Sequence, residues 1–141
     1  MMTLTNDWTA LNAKIDAMQP VGNTNVTIGL QMAFQALSPV APFNASAPKS
    51  DLDKVIILLT DGDNTENRWS TTQSTIDART KLACTIVKAA NIKLYVIDGN
   101  ASLLQQCATK TDMYYDVQQA SQLSKVFSTI AQNLANLRLA K

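Results

Sequence analysis

The sequence predicts an α/β fold, a partial doubly wound parallel sheet of three strands with flanking helices. The main observation is the apolar run over residues 54–60, which ends abruptly at Asp61. Because this run lacks polar alternation, it is typical of a strand buried on both faces of a parallel sheet. Two further strand patterns, at 92–97 and 113–117, alternate with helical patterns. The predicted order of elements is therefore ααβαβαβα, with right-handed crossovers between parallel strands.

Four helical patterns surround these strands, over residues 8–18, 26–37, 72–90 and 123–137. A shorter helical pattern near Leu103 lies between the second and third strands. Apolar residues recur in the four longer patterns at three- and four-residue spacing, which is typical of helices that pack one face on a core. These patterns supply the helical layers of the predicted fold.

Individual residues predict where these helices begin and which face they bury. Thr5 and Asn6 are candidate N-caps of the first helix, and Pro20 lies just past its end. In the long third helix, the apolar face predicted to pack on the core includes Ile76 and Ile86. Both predictions concern local structure and carry no function.

The composition excludes several functional classes. The chain has 141 residues, a net charge of +1 and no histidine. The length fits one domain, and the balanced charge gives no reason to expect nucleic acid or an anionic membrane as a partner. Without histidine, serine–histidine and cysteine–histidine nucleophilic sites are excluded, so any metal must be a hard cation bound by oxygen atoms. No segment approaches the roughly 20 apolar residues that span a bilayer.

The first strand presents a structural problem. It is the most apolar of the three, yet no strand pattern precedes residues 54–60. Without a neighbour it would form an exposed edge with unpaired backbone groups, which promotes association. We therefore expect either a pairing strand that lies outside this chain or self-association through residues 54–60.

Polar residues follow the first strand at the point where ligands bind in such sheets. Asp61 and Asp63 stand at the carboxyl end of the strand. With Thr24 from an earlier turn, Asp61 would offer a carboxylate and a hydroxyl that, completed by waters, suit Mg²⁺. A structural interpretation competes with this one, because Asp is a common turn former and an isolated Thr is a common helix N-cap.

Two segments resemble motifs of the von Willebrand factor type A (vWA) domain. Residues 22–30 resemble its threonine loop and the helix that follows, and residues 58–62 resemble its aspartate motif. The resemblance implies a Rossmann-like sheet carrying a metal-ion-dependent adhesion site (MIDAS), with Thr24 and Asp61 as metal ligands and Asp63 at most ordering water. The first motif of the family, DxSxS, has no counterpart before Thr24. The resemblance thus implies that residues 1–141 form one incomplete vWA domain, whose N-terminal strands and most metal ligands are missing.

A more specific resemblance concerns residues 52–69, 98–104, 107–108 and 113–117, which are similar to the TadG-like proteins of bacterial Flp-pilus assembly. It implies a non-catalytic protein-binding module that contacts components of the pilus assembly apparatus in the periplasm or cell envelope. From the residues alone, Cys84 and Cys107 form either a disulfide or two buried thiols. The extracytoplasmic location implied by the resemblance favours the disulfide.

An enzymatic alternative rests on residues 61–65, which satisfy the DxDxT pattern of haloacid-dehalogenase-like phosphatases. In that chemistry Asp61 would be the nucleophile and Asp63 the general acid and base, with Mg²⁺ neutralising charge. The reaction also requires a Ser or Thr at the end of the next strand and further acidic residues. The next strand instead ends at Asp98, so we favour the non-catalytic interpretation.

The polar loop after the first strand contains Arg68 and Trp69. Both residue types are enriched at interface hot spots, so one interpretation is an exposed partner-binding pair. In the other interpretation Trp69 folds back on its own domain. We favour the second for a loop tryptophan considered by itself.

Overall fold

The computed structural model describes residues 2, 5–19, 21–41, 43, 45, 52–61, 63–99 and 102–139. Pro20, predicted to follow the first helix, and Gly62 of the aspartate motif lie outside the described residues. Within the described ranges, no helix has the length and apolar character needed to cross a membrane.

The described part of the chain confirms the predicted order of elements, with boundaries that differ by at most two residues. Single turns of 3₁₀-helix precede β3 and α5. The elements in chain order are α1 (Trp8–Asp16), α2 (Val26–Ala36), β1 (Val55–Thr60), α3 (Gln73–Ala89), β2 (Lys93–Asp98), α4 (Ser102–Gln105), β3 (Tyr114–Asp116) and α5 (Leu123–Leu139).

The three strands form one parallel sheet in the order β1-β2-β3. β1 and β2 pair along their full length, and their last residues, Thr60 and Asp98, are register partners. β3 pairs with the second half of β2, so that Asp98 also lies beside Asp116. Parallel strands require crossover connections. Here α3 lies in the connection from β1 to β2, and α4 lies in the connection from β2 to β3. Among the described residues, β1 has one paired neighbour and is an edge strand.

The core is built around β2, whose residues 94–98 are all buried. Helices α2 and α3 contact each other and the sheet, and their buried side chains include Leu30 and Val87. One prediction about α3 is wrong, because Ile86 was expected on the face that packs on the core and is 50% exposed. The buried face of α3 instead includes Thr80, whose hydroxyl hydrogen-bonds Thr27 at 2.8 Å and donates to the carbonyl of Ile76 at 3.2 Å. These hydrogen bonds satisfy the hydroxyl of Thr80 and so allow it to be buried. The spacing of apolar residues alone does not predict that a threonine lies on the buried face.

The apolar run of β1 is not buried on both faces in this chain. Ile56 belongs to the core, whereas Ile57 and Leu59 are 40% and 49% exposed. Since side chains alternate along a strand, these two residues occupy the face opposite to Ile56. The expectation of burial on both faces is therefore wrong here, while the expected edge position of the strand is confirmed.

Helix α1 lies apart from the core, and none of its residues is buried. Its N-cap is Asp7 rather than the predicted Thr5 or Asn6, since the Asp7 carboxylate accepts a hydrogen bond from the amide of Ala10 at 3.0 Å. Thr5 contributes indirectly, because its hydroxyl accepts from the amide of Asp7 at 3.0 Å. The helix is thus specified locally by its cap and spacing.

A disulfide joins Cys84 of α3 to Cys107, which follows α4. The two Cα atoms are 5.2 Å apart and both residues are buried beside β2. The bond therefore links the connection between β2 and β3 to α3, the helix that connects β1 to β2.

Reduction of this disulfide is expected to lower the free energy of unfolding by about 3 kcal/mol, because it releases a closed loop in the unfolded chain. Urea denaturation with and without a thiol reductant measures the difference. The Cys84→Ala/Cys107→Ala variant serves as the control and should be insensitive to reductant. Equal unfolding midpoints for the oxidised and reduced wild-type chains would contradict a stabilising disulfide.

Candidate functional site

A cavity of about 540 Å³ lies at the carboxyl edge of the sheet. Its apolar lining includes the register partners Leu59 and Ile97 together with Leu123 at the start of α5. Asp61 and Asp98, from the ends of adjacent strands, also line it. The cavity therefore combines an apolar surface with carboxylates at the edge where sheets of this type bind ligands.

The chain leaves β2 by a close approach to the segment after β3. The amide of Val117 donates to the carbonyl of Asp98 at 2.8 Å. A Cβ atom placed on Gly99 would lie 2.9 Å from the carbonyl oxygen of Val117, closer than real Cβ contacts allow. Glycine at position 99 thus permits the backbone contact that shapes this side of the cavity.

Asp61 and Asp63, the acidic residues after β1 that the sequence analysis singled out, are both exposed, but they differ in their position relative to the cavity. Asp61 lines the cavity, whereas Asp63 does not. This placement is compatible with a ligand role for Asp61 and an outer role for Asp63, which stay predictions.

Backbone hydrogen bonds fix the position of Thr24, and its side chain does not cap helix α2. Its amide donates to the hydroxyl of Thr65 at 2.9 Å, and its carbonyl accepts from the amide of Thr65 at 3.0 Å. The N-cap of α2 is instead Asn25, whose side chain accepts from the amide of Ile28 at 3.2 Å. The interpretation of Thr24 as an N-cap is therefore wrong, and its hydroxyl is left for other contacts. Gly22 makes the preceding turn with a positive φ of 89°.

Asn64 connects the threonine loop before α2 to the loop that follows β1 from Asp61 onwards, which we call the aspartate loop. This side chain is only 4% exposed, and its carbonyl oxygen accepts a hydrogen bond from the amide of Val26 at 2.8 Å. Its amide group donates to the carboxylate of Asp77 at 2.9 Å and to the hydroxyl of Thr80 at 3.1 Å. One buried side chain therefore joins the start of α2, the loop after β1 and helix α3.

Glu66 adds a second connection between the same two loops. Its carboxylate accepts a hydrogen bond from the side chain of Asn23, and its carbonyl accepts from the side chain of Asn25 at 3.2 Å. Sequence reasoning singled out neither Asn64 nor Glu66 as a site residue. In the sequence, Asn64 reads as an ordinary turn residue, since nothing local indicates that its partners lie on two other elements.

The described residues do not form a complete metal site. No group of three or more Cys, Asp or Glu side chains in the described part of the chain is placed to hold a metal ion. Thr24 and Asp61 offer oxygen ligands of the type that Mg²⁺ prefers, but Mg²⁺ requires about six oxygens in near-octahedral geometry. Thr24 and Asp61 therefore offer ligands of the right type, but two ligands are too few to hold Mg²⁺.

Trp69 projects from the loop next to this edge and is 74% exposed. Asn67 shapes the loop, because its side-chain oxygen accepts from the amides of Trp69 at 2.8 Å and Ser70 at 2.7 Å. The guanidinium groups of Arg68 and Arg79 lie 5.8 and 5.6 Å from the centre of the indole ring. The indole ring of Trp69 thus contacts Arg79 on helix α3 of its own domain while it remains largely in solvent, and the partner-binding role of Arg68 and Trp69 stays a prediction.

Three comparisons with known proteins bear on this arrangement. No protein-family model matches the chain, and no curated protein matches it. Solved structures of proximal thread matrix protein 1 from the mussel byssus are similar in fold. One crystal form has a TM-score of 0.66 and 21% sequence identity over 89% of this chain and 31% of its own. Another structure of that protein, described as having a zinc-occupied MIDAS motif, has a TM-score of 0.65 and 21% identity over the same shares of the two chains.

These similarities show a partial Rossmann-like fold of the vWA type and, at 21% identity, no more than the fold. The chain spans about a third of the length of the mussel protein that it matches. The vWA resemblance seen in the threonine and aspartate motifs thus agrees with an independent comparison of the folded chain.

Replacing Asn64 by Ala is expected to lower the free energy of unfolding by about 2–3 kcal/mol, because three hydrogen bonds are lost at about 1 kcal/mol each. Urea denaturation measures this change. The Asp63→Ala variant is the matched control, since Asp63 is exposed on the same loop and should change stability by less than about 0.5 kcal/mol. Equal effects of the two substitutions would contradict the connecting role of Asn64.

The carboxylates at the strand ends affect Tyr114 in β3. Burial is the largest cause that raises the pKa of Tyr114, and the charges of Asp98 and Asp116 raise it further. The folded state therefore favours the neutral phenol. Below the ordinary tyrosine pKa of about 10, both the folded and the unfolded chain hold this proton and stability is unaffected.

As the pH rises from about 10 through the raised pKa, the unfolded chain loses the proton first and the free energy of unfolding falls. The Tyr114→Phe variant should lose less stability than the wild type over this interval. Chemical denaturation at pH 9 and at successive higher values measures the difference, and the lysines common to both chains cancel. An identical pH dependence of the two proteins would contradict the raised pKa.

Proposed function

We propose that this chain is a non-catalytic, protein-binding module of the vWA type that acts in bacterial Flp-pilus assembly, outside the cytoplasm. The fold supports the first part, because the structural neighbours share a vWA-type sheet. The resemblance of residues 52–69, 98–104, 107–108 and 113–117 to TadG-like proteins supports the assignment to pilus assembly. The disulfide agrees with an oxidising compartment such as the periplasm.

The observation that carries the proposal is the hydrogen bonding between the threonine loop and the aspartate loop at the carboxyl edge of the sheet. Thr65 and Asn64 hold these loops together through the backbone of Thr24 and Val26. Two loops bonded in this way present a fixed surface next to the exposed Trp69. A fixed surface with an exposed aromatic residue suits recognition of a protein partner, since little ordering is lost on binding.

A divalent cation belongs to this proposal only in an intact domain. There Thr24 and Asp61 would contribute two oxygen ligands, and a preceding strand with the DxSxS motif would supply the others. The cation would attract a carboxylate of the partner. In the present chain the polypeptide itself provides the contacts, through Asp61, Arg68 and Trp69.

An enzymatic role has less support from the geometry. A phosphatase of the DxDxT type needs a hydroxyl at the end of the strand next to its nucleophile, and that position in β2 holds the buried Asp98. The neighbouring structures are of a thread matrix protein. Both points favour binding over catalysis.

Site-specific photo-crosslinking in a bacterium that assembles Flp pili tests the proposed function. A photoreactive residue at position 69 should crosslink to a protein of the pilus assembly apparatus, identified by mass spectrometry. The same residue at Gln132, an exposed position on α5, is the control and should not. Identical products from both positions, or none from position 69, would contradict a partner-binding loop.

Metal binding and catalysis are tested on the purified chain. Because only Thr24 and Asp61 are expected to contribute ligands, calorimetry should show no saturable binding of Mg²⁺ or Mn²⁺ at micromolar concentration. Hydrolysis of p-nitrophenyl phosphate with Mg²⁺ should equal the rate in buffer. Micromolar metal binding that Asp63→Asn abolishes, or turnover that Asp61→Asn abolishes, would overturn the proposal in favour of the phosphatase.

A further inference from the structure

A groove of about 310 Å³ lies between α2 and α3. Its lining is mainly apolar and includes Leu30, Phe34, Leu82 and Ile86, with Arg79 at one end. Leu82 is 61% exposed, and Ile86 is also exposed despite its position on a predicted core face. An apolar groove between two helices is a common seat for the apolar face of a third helix.

Helix α1 carries such a face. Trp8, Leu11 and Ile15 recur in α1 at helical spacing and Met18 follows the end of the helix, yet α1 has no buried residue and Trp8 is 71% exposed. A helix of this length gains most of its stability from packing rather than from propensity. The chain therefore contains both an apolar helix with no buried residue and an apolar groove between two other helices.

The two features match in length. α1 has nine residues, so it extends over about 13 Å at 1.5 Å per residue. The stretch of α3 that lines the groove runs from Arg79 to Val87, which is also about 13 Å by the same measure. A helix the size of α1 can therefore occupy the groove along its full length.

The two features also match in charge. Segment 7–16 contains Asp7 and Asp16 against one basic residue, whereas α3 contains three basic residues against one acidic residue and α2 has none of either. The acidic residues of α1 lie at its two ends, and Arg79 lies at one end of the groove. In either orientation of α1 along the groove, a carboxylate would come close to Arg79.

We propose that this groove binds α1 of a second copy of the chain. In a two-fold dimer each copy would donate one helix and offer one groove, which doubles the contact. The surface differs from the edge of β1, and the proposal does not depend on the proposed function. Since each contact is small, the expected dissociation constant is on the order of 10 µM.

Light scattering coupled to size-exclusion chromatography, from about 1 to 300 µM protein, tests the proposal. The wild type should convert from monomer to dimer over this range. Ile86→Glu should remain monomeric while keeping the wild-type circular dichroism spectrum, because Ile86 is half exposed. Leu59→Lys is the matched control on β1, where a charge discourages edge pairing, and it should still dimerise. A wild-type monomer throughout, or a dimer that Leu59→Lys abolishes and Ile86→Glu does not, would overturn the proposal.

Fluorescence identifies the helix involved. Trp69→Phe leaves Trp8 as the only tryptophan, and its emission should shift to shorter wavelength as the dimer forms. Arg79→Glu should weaken association at least tenfold, because it replaces the cation at the end of the groove by a charge that repels the carboxylates of α1. An emission maximum that is independent of concentration would show that α1 does not enter a groove of a second copy and would contradict the proposal.

Discussion

The arrangement of the candidate site depends on the buried side chain of Asn64. Its carbonyl oxygen and amide group are paired with Val26, Asp77 and Thr80, so one residue holds the start of α2 and the loop after β1 on helix α3. A buried amide that lost these partners would carry the full cost of desolvation. The network therefore allows few alternative positions for the loops that carry Thr24 and Asp61, and this restriction gives the edge of the sheet a defined shape.

A second constraint is the open edge of β1. This strand has one paired neighbour among the described residues, and its outer face is partly exposed at Ile57 and Leu59. Exposed apolar edges promote association, so the sheet favours a further strand or a partner at this position. In the vWA resemblance, the strand that would pair here is also the strand that carries most of the metal ligands. In that resemblance, the lack of this one strand among the described residues thus accounts for both the open edge of β1 and the incomplete metal site.

The order of elements could be predicted because each strand and helix has a local pattern, and both parallel pairings follow from the crossovers. Burial was harder to predict, since it depends on what covers a surface. Ile86 and the outer face of β1 fit apolar patterns but remain exposed in this chain. Asp61 was found because it follows a strand, whereas Asn64 was missed because its partners come from α2 and α3, far away in sequence. The ligand roles of Thr24 and Asp61 stay predictions.

Hydrogen exchange of the Val26 amide, followed by NMR, tests the central role of Asn64 most directly. An amide at the first position of a helix has no intrahelical acceptor and ordinarily exchanges fast. Because Asn64 accepts a hydrogen bond from it, we expect strong protection of Val26 in the wild type and none for Trp8, the first residue of α1. Protection of Val26 should be lost in Asn64→Ala. Exchange of Val26 as fast as that of Trp8 in the wild type would contradict the account.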